Sequence, residues 1–409
     1  QVSRIIRATV NAINGHTARE DGASLFPLLS RLVKSMTPVN SEGLPFTGGV
    51  LGYWAYEYCQ LQEPEKIEPR EHNAPLASVG LYHWALIVDH KRQKTRLVFH
   101  PDITPELKSQ VLHALDRKPS ERKDPSFQLE KPFTGTQSRE EYNQSFDKIQ
   151  NYIAAGDCYE INLTQEFTAP FSGDTWEAYK HLRTVGKAPY SAYIQHNDVT
   201  ILSHSPEQFV RLTDCHVETN PIKGTRRRGV TPEEDRSIAH ELKNSEKDKA
   251  ENLMIVDLMR NDLGKVCTVG SVSVPRLFAL ETYSNVHHLV STITGNLAEG
   301  SDAASLLAST FPGGSITGAP KIRSMEIIRE LEPVPRSIYC GSVGYINCNG
   351  NMDTSITIRT LLAYDQQLHC WGGGAIVADS NADDEYQESI TKVSHLMNAL
   401  EHNFQPTSP

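Results

Sequence analysis

The sequence predicts an α+β protein built on large antiparallel β-sheets. Its 409 residues alternate between blocks of strand-like segments and single helical segments, without the regular strand–helix–strand rhythm that is typical of a parallel sheet. No repeat of fixed period occurs. A chain of this length can bury a sizeable core in one large domain or in two ordinary ones.

Composition narrows the function classes. The formal net charge of −10 at pH 7 argues against nucleic acid or an anionic membrane as the main partner. No apolar run approaches the roughly 18–20 residues that span a bilayer, and no signal peptide is visible. The seven cysteines show neither a CxxC pair nor Cys/His metal spacing, so we expect reduced thiols in a cytoplasmic protein.

The chain divides by composition into two parts. In the first, GGVLGYWAYEY and LYHWALIVDH are typical of strands or short helices with aromatic packing. Residues 117–140 are polar and contain prolines, which indicates a linker or a long surface connection. We therefore expect a strand-rich N-terminal part, 1–130, incomplete at its start because the first residue is Gln1. The second part, 131–405, is expected to pack with it as one continuous body.

Helices in the second part have recognisable start and stop signals. Thr231 is a predicted N-cap, with Glu234 completing a capping box. Ser245 is a second predicted N-cap, for a helix that ends at Gly264. A final helix is predicted over residues 382–404.

Two predicted helices carry pairs of carboxylates. Asp248 and Glu251 are three residues apart in one helix, and Glu385 and Glu388 are three apart in another, so each pair shares a helix face. Brought together, the two pairs would form an oxygen-rich site for a hard divalent cation such as Mg²⁺. Acidic pairs at this spacing are also common on solvated helix faces, so spacing alone leaves both interpretations open.

Lys223 lies in an unusual place for a lysine. In the segment TNPIKGTRRRG, Pro221 and Gly224 restrict the backbone on both sides of it. The ammonium is therefore aimed, which indicates an anion clamp or a nucleophile. The following arginines, Arg226 to Arg228, are interpreted as a solvated loop.

Glycine-rich segments offer backbone N–H groups to a ligand. FPGGSITGAPK lacks the GxxxxGK[ST] pattern of a nucleotide-binding loop, but its backbone could bind a carboxylate. The turn predicted at Gly372, Gly373 and Gly374 would let a ligand approach the main chain. A bulge in a strand remains the alternative.

Three single residues are further candidates. Arg359 alternates within an apolar strand and so needs an anion, either a buried acid or a substrate carboxylate. Glu207 follows a proline at the end of a strand-like run, a place that can hold a carboxyl group in a cleft. His288, in the strand-like segment NVHHLVST, is either a structural residue or part of a site.

Taken together, these segments resemble the chorismate-utilising enzymes. The resemblance covers about residues 140–400, in family order, and rests on SPEQF, PIKGTRRRG, KDKAENLMIVDLMRNDLGKV, VHHLVSTITG, FPGGSITGAPKIRSMEII, GSVGYI, SITIRT, GGGAIVADS and DEYQESITKVSHL. It implies a fold in which the antiparallel sheets pack as a sandwich with helices on the outside.

The resemblance also implies a chemistry. Mg²⁺ held by Glu251 and Glu388, with Asp248 and Glu385 nearby or bound through water, would draw electrons toward the ring carboxylate of chorismate. Glu207 would protonate the C4 hydroxyl, and Lys223 would attack C2. Lys223 would then need a lowered pKa. Ammonia would then add at C4 and Lys223 would leave C2. This amino-group transfer gives 4-amino-4-deoxychorismate.

Further residues match family contacts with the substrate. Arg359, Tyr339 and the backbone of residues 372–375 would hold the enolpyruvyl carboxylate. His288 matches a histidine that other members use in a later elimination. The remaining matches to substrate-binding positions are Thr225, Ser315, Gly373, Gly374 and Lys392.

The choice among family reactions depends on Lys223. Lysine at this position is typical of members that form 4-amino-4-deoxychorismate for p-aminobenzoate and folate, whereas alanine is typical of members that form anthranilate, the alternative activity. Members that form isochorismate carry a water-activating lysine at the position of Glu160. No GxCxGxQ motif surrounds any cysteine, so the resemblance implies a separate glutamine amidotransferase subunit that supplies ammonia.

Overall fold

The structure is a computed structural model, and it describes residues 7–11, 17–21, 25–41, 43–63, 65–67, 70, 74–117, 126–186, 188–283 and 286–405. The strands are β1 (Arg7–Asn11), β2 (Thr17–Asp21), β3 (Gly49–Trp54), β4 (Ala77–Tyr82), β5 (Trp84–Asp89), β6 (Lys94–Phe99), β7 (Gln128–Leu129), β8 (Thr134–Gly135), β9 (Glu160–Ser172), β10 (Tyr190–His196), β11 (Val199–Ser205), β12 (Gln208–Thr213), β13 (His216–Thr219), β14 (Ile222–Arg227), β15 (Ser273–Thr282), β16 (Val286–Asn296), β17 (Gly318–Ala319), β18 (Ser342–Asn347), β19 (Met352–Ile356), β20 (Thr360–Tyr364) and β21 (Gln367–Ile376).

The helices lie among the strands along the chain, without a regular strand–helix alternation. They are α1 (Leu25–Lys34), α2 (Tyr58–Gln62), α3 (Pro105–Asp116), α4 (Arg139–Ala154), α5 (Thr175–Val185), α6 (Pro232–Asn244), α7 (Glu246–Gly264), α8 (Ala303–Thr310), α9 (Lys321–Leu331) and α10 (Ala382–Phe404). Several begin at side-chain caps, as expected from the sequence. Ser245 accepts the Asp248 N–H at the start of α7, and Thr231 accepts the Glu234 N–H at the start of α6. The capping box predicted at α6 is wrong in its second half, because the Glu234 carboxylate binds Val230 N and Arg227 instead.

Two antiparallel sheets dominate the fold. A nine-stranded sheet has the order β14-β16-β13-β12-β19-β18-β3-β4, with β15 also paired to β16, and an eight-stranded sheet has the order β10-β11-β20-β21-β9-β17, with β7 and β8 paired to β9. Since β3 pairs with β18 and β4 pairs with β3, segments from the N-terminal part complete a sheet of the second part. The placement of a domain boundary at residue 130 stays a prediction. Of the predicted linker, residues 118–125 lie outside the described residues.

Apolar burial joins these layers. One cluster contains residues of both large sheets, among them Tyr53 of β3, Ile161 of β9 and Ile356 of β19. A second cluster packs the eight-stranded sheet against α5 and α10 through residues such as Leu182 and Leu396. Burial of these side chains is the main favourable term in folding. The predicted α+β class, with large antiparallel sheets and helices around them, is confirmed. Among the described residues, no helix is both long and apolar enough to cross a membrane.

Candidate active site

A cavity of about 890 Å³ lies where β14, β16 and β21 meet α7 and α10. This volume is within the range of small-molecule sites. Every predicted site residue except Gly374 lines it, although these residues are dispersed through the second part of the chain. The predicted residues in its wall are Glu207, Lys223, Thr225, Asp248, Glu251, His288, Ser315, Tyr339, Arg359, Gly373, Glu385, Glu388 and Lys392.

Lys223 points into this cavity from a bulge in β14. The register of β14 against β16 shifts between Ile222 and Thr225, and Gly224 has a φ of 80°. A Cβ on Gly224 would lie 2.8 Å from Asp248 Oδ1, so glycine is required both for the backbone angle and for the approach of α7. The bulge re-aims the neighbouring side chain. Lys223 is buried, and its Nζ donates to Oε1 of Glu160 at 2.6 Å.

Carboxylates determine the protonation of Lys223. Burial alone would lower its pKa, but the negative charges of Glu160, Glu251 and Glu207 outweigh burial and raise the pKa above its ordinary value. The expectation of a lowered pKa is therefore wrong for this arrangement. The pKa is raised chiefly because Lys223 is bonded to Glu160, a fully buried acid 63 residues earlier in the chain.

Glu207 is a buried carboxyl group at the start of β12. Its Oε1 accepts hydrogen bonds from Ser315 Oγ at 2.9 Å and from Ile222 N at 3.4 Å. Burial raises its pKa to about 7, against the lowering effects of these hydrogen bonds and of Lys223 and Arg359. A large fraction of Glu207 is therefore protonated near neutral pH, as a general acid requires.

His288 is a neutral histidine in the cavity wall. Its Nδ1 lies 2.8 Å from Thr225 Oγ1. Burial, with help from the charges of Arg359 and His287, lowers the pKa of His288 to about 4. At neutral pH the ring can therefore exchange hydrogen bonds with a ligand but carries no charge.

Arg359 presents its guanidinium to the cavity. Its backbone has a φ of 51°, which is uncommon for a residue with a side chain, and its carbonyl accepts the His204 N–H. Within the described ranges no hydrogen bond or ion pair involves the Arg359 side chain, which lines the cavity. A half-buried guanidinium in this state is suited to a carboxylate. Tyr339, also in the wall, stacks on Trp371 with ring centroids 6.3 Å apart.

The predicted glycine turn is a strand. Gly372, Gly373 and Gly374 lie within β21, paired with β9 on one side. A Cβ on Gly372 would lie 2.0 Å from the Ser389 carbonyl oxygen, and one on Gly374 would lie 2.8 Å from Glu385 Oε2. The glycines therefore allow α10 to pack directly on the sheet. They bring α10 and its carboxylates to the cavity, and the Gly373 carbonyl accepts a hydrogen bond from Lys392.

Cationic side chains engage the acidic pairs of α7 and α10. Asp248 binds Arg226 at 3.0 Å, and Glu388 binds Lys392 at 2.7 Å. The interpretation of Arg226 as part of a solvated loop is wrong, because Arg226 lies in β14 and pairs with acids of α6 and α7. As the side chains stand, no three His, Cys, Asp or Glu among the described residues are close enough together to hold a metal ion.

A positive charge nevertheless lies between the two helices. Lys247 Nζ is 4.0 Å from Glu251 Oε1 and 4.0 Å from Glu385 Oε1, so an ammonium occupies the place where the two acidic pairs face each other. Within the described residues, Oε2 of Glu385 is buried without a hydrogen-bond partner. Burial raises the pKa of Glu251 to about 7, against the lowering effects of Lys223 and Lys247. The donor set therefore fits a hard cation.

Two contributors were not foreseen from the sequence. The sequence marks Glu160 only by its position in the family pattern, and it gives no signal for Lys247. The one signal for Glu160 is a carboxylate at the start of an otherwise apolar and polar-neutral strand, in CYEINLTQ. Such an acid needs a cationic partner once it is buried.

Most of the chain matches a known family. Residues 7–398 match a family model described as chorismate binding enzyme. The chain is 48% identical over 366 residues to aminodeoxychorismate synthase component 1 of Escherichia coli (strain K12), covering 89% of this chain and 79% of that protein. It is 37% identical over 401 residues to anthranilate synthase component 1 of Aquifex aeolicus (strain VF5), covering 91% of this chain and 78% of that protein.

The fold also matches a solved structure. Anthranilate synthase component I from Streptococcus pneumoniae TIGR4 superposes with a TM-score of 0.83 at 30% sequence identity, covering 96% of this chain and 90% of that chain.

Proposed function

The chain belongs to the chorismate binding enzyme family, and from this premise we propose that it converts chorismate and ammonia to 4-amino-4-deoxychorismate, as component 1 of an aminodeoxychorismate synthase. The observation that carries the proposal is the position of the Lys223 amine. It is buried, it is bonded to Glu160, and it points into the cavity that the acids of α7 also line. The product would supply p-aminobenzoate for folate. The relatives that are named component 1 favour a second subunit, and we propose a glutamine amidotransferase that delivers the ammonia.

Substrate binding follows from the charges around the cavity. Chorismate carries two carboxylates, and the unpaired guanidinium of Arg359 offers one of them a bidentate contact. Tyr339 and the backbone of β21 would contact the same end of the substrate. Glu251 and Glu388, with Asp248 and Glu385 beside them, would hold Mg²⁺, which would draw electron density toward the ring carboxylate. Lys247 would give up its position between the two helices.

In the proposed reaction, Lys223 is the nucleophile and Glu207 is the general acid. The Lys223 ammonium passes a proton to Glu160, and the neutral amine forms a bond to C2 of the ring. The two ring double bonds shift, the C4–O bond breaks, and the hydroxyl leaves as water with the proton of Glu207. Ammonia then forms a bond to C4, the double bonds shift back, and Lys223 leaves C2 as a neutral amine.

A direct assay tests the proposed reaction. The purified chain is incubated with chorismate, Mg²⁺ and ammonium chloride, and the products are separated and identified by mass. We expect 4-amino-4-deoxychorismate, which yields p-aminobenzoate only after a lyase is added. Anthranilate, detected by its fluorescence without any added lyase, would instead establish the alternative activity suggested by the Aquifex aeolicus relative.

Changing Glu160 to glutamine is expected to move the pH dependence of the reaction. Glu160 is the carboxylate bonded to Lys223 and a leading cause of its raised pKa. Its neutralisation lowers the pKa of Lys223, so the amine becomes neutral at lower pH. Because the variant also lacks the acceptor for the Lys223 proton, we expect kcat at neutral pH to fall by roughly 10²-fold and to increase with pH as the amine loses its proton to solvent.

A neighbouring acid provides the control for this variant. Glu166 is a buried carboxylate on the same strand, bonded to His369 outside the cavity wall. Glu166→Gln should keep kcat and its pH dependence. An unchanged kcat and pH dependence in Glu160→Gln would mean that Glu160 does not govern the protonation of Lys223.

A further inference from the structure

A second, smaller cavity adjoins the first. It has a volume of about 60 Å³, which is room for one or two molecules of the size of water. Pro206, His288 and Arg359 line both cavities and thus form the wall between them. His395 also lines both cavities, whereas His204 lines only the smaller one.

His204 is an unsatisfied polar group in this small cavity. It lies on β11, it is 1% exposed, and its ring packs on Tyr179 at a centroid distance of 5.1 Å. Neither of its ring nitrogens has a hydrogen-bond partner within the described part of the chain. Buried polar atoms without partners are rare in folded proteins, so a small polar molecule in the cavity is the natural partner.

The charges around the small cavity select for a neutral molecule. Burial lowers the pKa of His204, His288 and His395 to about 4 in each case, so all three rings are neutral at pH 7. Each neutral imidazole has one nitrogen that accepts a hydrogen bond. The guanidinium of Arg359 disfavours a cation in the same space. A small neutral N–H donor satisfies these conditions better than an ammonium ion does.

We propose that this small cavity is the ammonia subsite of the enzyme, in which His204 and His395 accept hydrogen bonds from NH₃ before it attacks the ring. The inference rests on the proposed function, because it assigns the second substrate of that reaction to a place. Pro206, in the shared wall, directly precedes Glu207, the proposed proton donor to the C4 hydroxyl. Ammonia held there would stand beside the carbon that loses the hydroxyl.

The step served by this subsite is the second half of the reaction. The lone pair of NH₃ forms the C4–N bond, and the ring double bonds return to their positions in chorismate. The C2–N bond to Lys223 breaks, and its electron pair goes to the departing amine. The positive charge passes from the nitrogen of the adduct to the new C4 ammonium, so atoms and charge balance without a further reactant.

The test separates the two substrates kinetically. The full chain is assayed at saturating chorismate and Mg²⁺ with varied ammonium chloride at constant pH and ionic strength. His204→Leu removes the acceptor at similar volume, and we expect the KM for ammonia to rise about 3- to 10-fold, the effect of one lost hydrogen bond. The KM for chorismate and kcat at saturating ammonia should stay within about twofold. His395→Leu should also raise the KM for ammonia.

Two further variants make the result decisive. His204→Gln restores an acceptor and should bring the KM for ammonia back toward that of the unchanged chain. His181→Leu is the matched control, because His181 also has a buried ring nitrogen with no partner among the described residues but lines neither cavity. Its kinetics should be unchanged. Thermal unfolding confirms that each variant is folded.

The outcomes distinguish this inference from the proposed function. If the folded leucine variants keep an unchanged KM for ammonia, the cavity holds only water and the inference is wrong, while the proposed function stands. If the unchanged chain forms no 4-amino-4-deoxychorismate, the proposed function fails and the subsite fails with it.

Discussion

Replacing Lys223 by alanine is expected to lower kcat for the amination of chorismate by on the order of 10³-fold or more, since it removes the attacking atom of a covalent mechanism. The amine is buried, bonded to Glu160 and directed into the cavity that contains the other proposed site residues. Two readouts measure the effect. One is the initial rate with saturating ammonia, and the other is the intact mass of the chain after brief exposure to chorismate without ammonia, which should show an adduct only when Lys223 is present.

A second variant separates nucleophilic attack from charge. Lys223→Arg retains a cation that can pair with the buried Glu160, but a guanidinium is not deprotonated in proteins and cannot act as an amine nucleophile. We therefore expect Lys223→Arg to be as inactive as Lys223→Ala, although it leaves less uncompensated charge in the interior. Substantial activity in Lys223→Arg would show that the residue serves as a positive charge and that no covalent adduct is required.

Local features of the fold could be predicted from the sequence because neighbouring residues determine them. Ser245 caps α7 with the hydrogen bond that its position predicts, since a cap depends on residues within one helical turn. The capping box at Thr231 was predicted by the same logic and is only half formed. Arg227, on the adjoining strand, competes for the Glu234 carboxylate, and a local pattern does not reveal such a competitor.

Contacts between distant segments set the limit of prediction at the site. The pair of Glu160 and Lys223 joins β9 to β14, and the pair of Lys247 and Glu385 joins α7 to α10. Spacing within a segment carries no information about which segments meet. The positions of the individual site residues were accessible through the family resemblance, whereas their protonation depends on these long-range pairs. For this reason the pKa of Lys223 was expected in the wrong direction.

The glycine run of β21 illustrates the same limit in the backbone. Three successive glycines permit a turn, a bulge or a closely covered strand. What decides among them is the approach of α10, whose Ser389 carbonyl oxygen would lie 2.0 Å from a Cβ on Gly372. That helix begins only a few residues later in the chain, at Ala382, but its packing on the sheet is a tertiary contact.

Replacing Glu207 by glutamine is expected to lower kcat by roughly 10²- to 10⁴-fold, the usual contribution of a general acid, while the KM for chorismate changes little. Glutamine is close in shape to glutamic acid, and its amide oxygen can still accept from Ser315 Oγ and Ile222 N, which both bind Oε1 of Glu207. What the variant loses is the proton for the departing C4 hydroxyl. Steady-state kinetics with saturating ammonia measure the change.

The pH profile identifies Glu207 as the acid. Because burial raises its pKa to about 7, the protonated form predominates below that pH and is lost above it. The unchanged chain should therefore lose activity as the pH rises through about 7, and Glu207→Gln should lack this alkaline limb. A dianionic substrate beside the carboxyl group would move the limb further up.

A buried acid elsewhere in the fold provides the matched control. Glu57 is also buried, with a pKa raised to about 7 by burial, but it accepts the Arg336 N–H away from the cavity wall. Glu57→Gln should keep kcat and the alkaline limb, because a raised pKa matters only where the proton can reach the substrate. If Glu207→Gln kept both as well, the proton would have to come from another donor, and water in the open cavity would be the simplest one.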